Sequence, residues 1–190
     1  MSATGPDRLE GVVAMRVRMR IAIVVALGAV VLGGTSAAPA SAGSVRWPAV
    51  QRGDSGLNVR AVQALLREHG SSVSVTGHFR FGTAQAVRRF QDAHGIAATG
   101  KVDKATWPDL VVVVQRGDEG PAVQVIQRQL KWLGFYHAAI GGHFGPRTEG
   151  AVKAFQERAG LEQTGVMNTF SWRHLLHSIG FPSCLRARCD

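Results

Sequence analysis

Two long segments of this 190-residue chain carry nearly the same sequence pattern, and this internal repeat constrains the fold more than any other feature. Residues 50–70 align with residues 114–134 without a gap, and after one inserted residue 76–110 align with 141–175. Both copies contain Val-Gln-Arg-Gly-Asp, Gly-His-Phe and Ala-Val-x-x-Phe-Gln at matching positions. The chain is therefore expected to build the same folded unit twice.

Apolar residues within each copy follow the spacing of a helix face. In the second copy Val123, Ile126 and Leu130 lie three and four residues apart, which predicts a helix with these side chains on one side. Pro121 suits the first turn of this helix and Gly134 suits its C-terminal end. The first copy shows the same pattern, so each copy is expected to begin with an amphipathic helix.

Two further helices are predicted in each copy. In the first copy one helix carries Phe90 and ends at Gly95, and a short one carries Trp107 after Asp103 as its N-cap. In the second copy Asn168 takes the capping position. The Phe and Trp residues of these patterns are expected in the core, because a module of roughly 60 residues needs nearly all of them there.

The fold class predicted from the repeat is all-α. Two tandem three-helix modules are expected, module 1 over residues 50–110 and module 2 over residues 114–175. The connection between them is a run of valines, Val111 to Val114, without Pro, Gly or Ser. This short apolar connection predicts modules that pack against each other rather than modules on a flexible tether.

The N-terminal residues have the pattern of a secretion signal. Arginines within residues 16–20 precede the apolar stretch 21–32, and the small residues Ala40-Ser41-Ala42 follow. We expect residues 1–42 to be a signal peptide, with Met15 as the true start. A membrane anchor is the less favoured alternative, because the apolar run is shorter than the roughly 20 residues that span a bilayer.

Cleavage after Ala42 removes four basic and two acidic side chains, which lowers the net charge from +9 to +7 and leaves a short lead at residues 43–49. Outside the cell the acidic partners of such a basic protein are wall polymers that carry phosphates or carboxylates. Nucleic acid would also match the charge, but export argues against it. No membrane contact is expected once the signal is removed.

The expected C-terminal tail, residues 176–190, holds the two cysteines of the chain, Cys184 and Cys189. An oxidising compartment predicts a disulfide between them. That bond would close a very small loop and would stabilise little beyond the tail.

The repeated motifs resemble those of a known family. Module 2 carries Gly-His-Phe-Gly-Pro-Arg-Thr at 142–148 and Ala-Val-Lys-Ala-Phe-Gln at 151–156. Module 1 carries Ala-Val-Arg-Arg-Phe-Gln at 86–91 and Thr106-Trp107. Together with the Arg-Gly-x-x-Gly and Val-x-x-x-Gln-x-x-Leu spacings, this pattern resembles the peptidoglycan-binding domain found beside many bacterial wall hydrolases. The resemblance covers residues 50–175 and implies a small helical fold associated with wall glycan.

Module 1 departs further from the family pattern than module 2. Thr76 and Gly141 stand where the family has Asp before the glycine of its turn. Module 1 also has Arg80 in place of a glycine and lacks the proline that follows it. The second module is therefore expected to be the stronger binder.

A groove between the Gly-His-Phe turn and the second helix is the expected binding place for glycan or stem peptide. The candidate ligand contacts are its polar side chains: His78, Arg80, Thr83, Gln91, His143, Arg147, Thr148 and Gln156. Two alternatives stay open, since Thr at a helix start often caps the helix and Gln can bond the backbone. Neither His has a second ligand at zinc spacing, so no metal and no cofactor is expected.

No catalytic motif fits both copies. Gly-Asp-Ser-Gly around Ser55 is similar to a serine-protease nucleophile loop, but Glu119 stands at the matching position of module 2, so a turn before the helix is the better interpretation. The zinc, Cys/His and paired-carboxylate sets of wall hydrolases are not recognisable. The sequence therefore predicts a secreted, non-catalytic wall-binding protein. The alternatives are an interaction or inhibitor protein that binds a wall hydrolase and, less favoured, a divergent wall hydrolase.

Overall fold

A computed structural model of the chain describes residues 45–180, which contain six α-helices. Module 1 holds α1 (Leu57–Glu68), α2 (Phe81–Ala93) and α3 (Trp107–Leu110), and module 2 holds α4 (Pro121–Trp132), α5 (Pro146–Arg158) and α6 (Thr169–Gly180). Within the described range the only extended pairings are isolated bridges. The predicted all-α fold is confirmed. The expected signal peptide, the Met15 start and the cysteine pair lie outside the described residues.

The first helix of each module forms where the apolar spacing predicts it. On α4 the side chains of Val123, Ile126 and Leu130 are buried, and Pro121 is the first helical residue. A proline is accommodated there because a first-turn amide has no acceptor within the helix.

Between residues 45 and 180, no helix combines the length and the apolar character needed to cross a bilayer.

The third helices of the two modules differ in length. Asn168 caps α6 as predicted, since its Oδ1 accepts the N–H of Ser171 at 2.9 Å. Asp103 instead closes a turn before α3 by accepting the N–H of Ala105. Helix α6 continues to Gly180, five residues beyond the expected end of module 2. Leu176, in this extension, is fully buried, and its carbonyl accepts a hydrogen bond from Asn58 of module 1.

The predicted core residues are buried in both modules: Phe79, Phe90, Trp107, Phe144, Phe155 and Trp172. Each tryptophan also fixes the segment that leads into its module. Trp107 Nε1 donates to the carbonyl of Pro48, and Trp172 Nε1 donates to the carbonyl of Val112, both at 2.7 Å. The packing of these aromatic residues is therefore structural in each copy.

The two modules pack together through α1 and α4, which form the most extensive helix pair of the described chain. On α1 the buried residues Ala61 and Leu65 lie opposite the stripe that faces the core of module 1. The neighbouring Glu68 accepts, through Oε1, the N–H of Ala122 in the first turn of α4 at 2.9 Å. The predicted packing of the modules is confirmed.

Candidate functional site

Four buried glutamines connect the helices of the two modules to their loops. Gln63 on α1 corresponds to Gln127 on α4, and Gln91 on α2 corresponds to Gln156 on α5. Each of these side chains is only 1% exposed. A side-chain amide carries both donors and an acceptor, so one glutamine can bond several groups of a loop at once.

The first pair of glutamines holds the Gly-His-Phe turn. Gln63 Nε2 donates to the carbonyl of His78 at 3.0 Å and to Thr83 Oγ1 at 3.1 Å, while its Oε1 accepts the N–H of Gly77 at 2.8 Å. Gln127 makes the same three bonds in module 2, at 2.9, 3.0 and 3.0 Å. The position of the turn is therefore fixed from inside each module.

The backbone conformation of this turn requires glycine, and a neighbouring side chain packs closely over it in each module. Gly77 has φ +80°, and Gly142, its counterpart, has φ +77°. A Cβ atom on Gly77 would lie 2.9 Å from Nε of Arg60, and one on Gly142 would lie 2.8 Å from Cγ of Gln124. The left-handed backbone and these neighbours explain why both copies have glycine here.

The second pair of glutamines holds the loop before the third helix. Gln91 Nε2 donates to the carbonyl of Lys101 at 2.7 Å and to Thr106 Oγ1 at 2.9 Å, and its Oε1 accepts the N–H of Gly100 at 2.9 Å. Gln156 binds the corresponding groups of module 2, with Ser171 in place of the threonine. This loop is thus attached to the second helix in each module.

The structure divides the predicted ligand contacts into two groups. Four are buried, with their polar atoms bonded inside the chain: Thr83, Gln91, Thr148 and Gln156. The other four are exposed: His78, Arg80, His143 and Arg147. A ligand role for all eight stays a prediction, and only the exposed group presents side chains to solvent in this structure.

A cleft of about 340 Å³ lies in module 1 between the segment 72–76 and the first turn of α2. It brings together three of the predicted contacts, His78, Arg80 and Thr83. Gln91 lies further along α2 and bonds the other loop. The expected groove is therefore present in module 1, but Gln91 does not line it.

Module 2 has a cleft of about 430 Å³ beside the same part of its second helix. Its lining includes Phe135, Tyr136, His137 and Arg147. Tyr136 donates from its hydroxyl to the carbonyl of Ala139 at 2.9 Å, which orders the segment after α4. The three ring residues could not be predicted from the repeat, because residues 135–140 lie between the two segments of module 2 that align with module 1.

His143 lies on the turn beside this helix and pairs with an acid. Its Nδ1 is 3.0 Å from Oε1 of Glu119, and both side chains are largely exposed. The matching residues of module 1, Ser55 and His78, form the corresponding backbone bridge. Ser55 therefore belongs to the turn before α1, as the comparison of the two copies predicts.

Comparison with known proteins assigns the family. The sequence profile of the peptidoglycan binding domain matches residues 55–108 and 119–175, together more than half of the chain. An N-acetylmuramoyl-L-alanine amidase, CwlM of Mycobacterium tuberculosis, is 32% identical over 106 residues, which is 48% of this chain and 25% of that protein. The amidase CwlL of Bacillus licheniformis is 28% identical over 166 residues, 70% of this chain and 45% of that protein. The chain thus spans less than half the length of these two relatives.

Two solved structures share part of the sequence. The N-terminal domain of SleB is 35% identical and covers 36% of this chain and 93% of that one, with a TM-score of 0.36. A peptidoglycan-binding protein from Clostridioides difficile, in complex with glutamine hydroxamate, is 34% identical over 34% of this chain and 40% of that one, with a TM-score of 0.33. With both of its modules matched by the family profile, this chain belongs to the peptidoglycan binding domain family and carries two tandem copies of that domain.

Proposed function

We propose that this protein is a secreted, non-catalytic wall-binding protein whose modules, residues 50–110 and 114–175, hold the glycan or stem peptide of peptidoglycan. The family match of both modules supports binding to peptidoglycan. That match covers a binding domain, although the relatives named above are wall hydrolases. The apolar N-terminal stretch and the excess of basic residues agree with an exported protein that works among acidic polymers.

The observation that carries this proposal is the cleft that borders the first turn of the second helix in each module. In module 1 the cleft presents His78 and Arg80, and in module 2 it presents Arg147 beside aromatic rings. Arginine donates several hydrogen bonds in a fixed geometry, which suits sugar hydroxyls, amide carbonyls and carboxylates. The exposed residues would contact the ligand, while the buried threonines and glutamines position the loops that carry them.

Module 2 is the stronger candidate binder. Its cleft offers the half-buried ring of Phe135 and the exposed imidazole of His137 where module 1 has a segment of serines and valines. An aromatic ring can pack against a sugar or peptide, and an imidazole can also form a hydrogen bond with it. This difference agrees with the closer match of module 2 to the family pattern.

Sedimentation of the protein (residues 43–190) with purified insoluble peptidoglycan tests the proposal. We expect wild-type protein in the pellet at low and high salt, and about tenfold weaker retention for Arg147→Ala, since a hydrogen bond from a charged group is lost. Arg80→Ala should weaken retention less. Arg67→Ala, which removes an exposed arginine at the end of α1, is the matched control and should bind like wild type.

The same assay separates the alternatives. Retention that disappears once other wall proteins are stripped from the peptidoglycan would indicate that a wall hydrolase, and not the polymer, is the partner. Release of soluble muropeptides by the purified protein would identify it as a hydrolase. Protein that stays in the supernatant at every salt concentration would rule out wall binding.

A further inference from the structure

A second cleft in module 1, of about 360 Å³, lies between the turn before α1, the first turns of α2 and the loop held by Gln91. Three cationic side chains line it: Arg52, Arg88 and Lys101. All three are exposed, and Phe81 beside them is 56% exposed. We refer to this place as the cationic cleft.

The matching place in module 2 has its own counter-charge. There Glu149 binds Lys153 at 2.7 Å and lies 3.5 Å from Arg116. Lys153 and Arg116 correspond to Arg88 and Arg52 of the cationic cleft. The hydrogen bond and ion pair with Lys153 lower the pKa of Glu149, so this carboxylate is ionised and offsets one of the two positive charges around it.

Module 1 has no acid at that position, because Ala84 replaces the glutamate. Asp54 is close by on the turn, but its Oδ2 accepts the N–H of Gln51 at 2.9 Å. Within residues 45–180, no ion pair joins the cationic cleft to a carboxylate of the chain. Three positive side chains thus converge with no counter-ion from the described protein.

The backbone on one side of the cationic cleft is fixed by hydrogen bonds from inside the module. The Gln91 amide binds the carbonyl of Lys101 and the N–H of Gly100. Nε of Arg88 lies 3.0 Å from where a Cβ of Gly100 would stand, so the guanidinium lies directly over this glycine. In module 2 the side chains of Glu149 and Lys153 cover Gly165 in the same way, which shows that the two places correspond.

We propose that the cationic cleft binds an oxyanion, a carboxylate or phosphate group of the wall polymers, and that Glu149 occupies the equivalent place in module 2. Arginine and lysine together suit such a group, since the guanidinium fork matches a planar or tetrahedral oxyanion and the ammonium adds a point charge. The proposal rests on the proposed function only in taking the wall as the source of the anion.

Titration of ¹⁵N-labelled protein (residues 43–190) with inorganic phosphate, and separately with acetate, followed by NMR, tests the cleft directly. We expect saturable shifts of the Gly100 and Lys101 amides and of the Arg88 Nε–H signal. Shifts of equal size over the whole surface, or none around the cleft, would overturn the proposal. Because no wall polymer is present, this result is independent of the sedimentation assay.

Exchanging the charges between the modules provides the matched variants. Ala84→Glu copies Glu149 into module 1, and we expect it to weaken phosphate binding at least about tenfold by supplying an internal carboxylate. Lys101→Val copies Val166 and should weaken binding with little effect on folding. Arg67→Gln, with the same change in net charge outside the cleft, should bind like wild type. Equal weakening by Arg67→Gln would show that overall charge alone acts, which contradicts a site.

The reverse exchange tests the role of the acid. Glu149→Ala combined with Val166→Lys gives module 2 the same cations, and we expect phosphate-dependent shifts to appear there. Their absence would contradict the proposal. The source of the anion follows from sedimentation of wild type and Ala84→Glu with walls before and after chemical removal of phosphodiester polymers. If wild type is still retained better than Ala84→Glu on peptidoglycan stripped of phosphodiesters, the anion is a carboxylate. If the two proteins are then retained equally, the anion is a phosphate.

Discussion

At the scale of single residues, the glutamines Gln63, Gln91, Gln127 and Gln156 fix the loops of both modules. Each side-chain amide forms hydrogen bonds with a neighbouring loop. These bonds satisfy backbone N–H and carbonyl groups of the loop that would otherwise be buried without partners. Gln91 satisfies the carbonyl of Lys101, the N–H of Gly100 and the hydroxyl of Thr106. The loops of this small helical protein are therefore ordered by side-chain amides.

Replacing Gln91 by leucine tests this role. The substitution keeps the size but leaves the loop groups without partners, so we expect the free energy of unfolding to fall by about 3 kcal/mol. Urea denaturation followed by circular dichroism measures it. Gln85→Leu, on the exposed face of the same helix, is the control and should change stability by less than about 0.5 kcal/mol. Similar losses in both variants would contradict a structural role for the amide.

Two histidines link stability to pH. Burial lowers the pKa of His69, and the nearby His94 lowers it further, although the carbonyl of Leu110, Glu68 and Asp109 act in the opposite direction. Burial also lowers the pKa of His174, with contributions from Arg173 and His177. In both cases the folded protein takes up a proton less readily than the unfolded chain.

Stability is therefore expected to fall as the pH drops below about 6.5, the ordinary histidine value, and to stop falling once the pH is below the folded pKa values. Urea midpoints measured between about pH 7 and about pH 5 check this dependence. His69→Gln should make the dependence shallower, since it removes one of the two groups whose pKa is lowered in the folded protein. A steeper or unchanged slope for His69→Gln would count against the assignment.

At the scale of helices, the sequence predicts the elements well because periodicity and end signals coincide. The apolar residues of α4 lie between Pro121, the first helical residue, and Gly134, just beyond the helix end. The helical spacing and the end signals therefore predict the same helix. The extension of α6 could not be predicted in this way, since it depends on contact between Leu176 and Asn58 across the modules. The sequence also could not separate the buried ligand candidates from the exposed ones. The sequence pattern of a threonine or glutamine is the same whether its side chain is buried or exposed, and only tertiary packing decides between the two.

The junction of α1 with α4 gives a prediction at this scale. Glu68, the last residue of α1, binds a first-turn amide of α4, where a negative charge also suits the positive end of the helix. We expect Glu68→Ala to destabilise the protein by about 1 kcal/mol through loss of this cap. Thermal unfolding of Glu157→Ala, an exposed glutamate near the end of α5, provides the comparison. No difference between the two variants would show that the contact contributes nothing.

At the scale of the whole molecule, the two modules are expected to unfold as one unit. Helix α1 is buried on two sides, against its own module and against module 2, so neither module completes its packing alone. Calorimetry of the wild-type protein should therefore show one transition.

Ala61→Asp places a charge in the interface and should lower the melting temperature and separate the transition into two, because the carboxylate loses its hydration there. Ala154→Asp makes the same change at an exposed position of α5 and should retain one transition near the wild-type temperature. Two transitions in the wild-type protein would contradict the coupling.

The firm contact between α1 and α4 also sets how the two clefts can act on a polymer. Modules on a tether can each find a site independently, and their combined avidity depends on linker length. Here the spacing is built into the fold, so under the proposed function both clefts would engage one polymer only where its binding groups repeat at a matching distance. Strands with that repeat would then be held at two points, and strands with any other repeat at one.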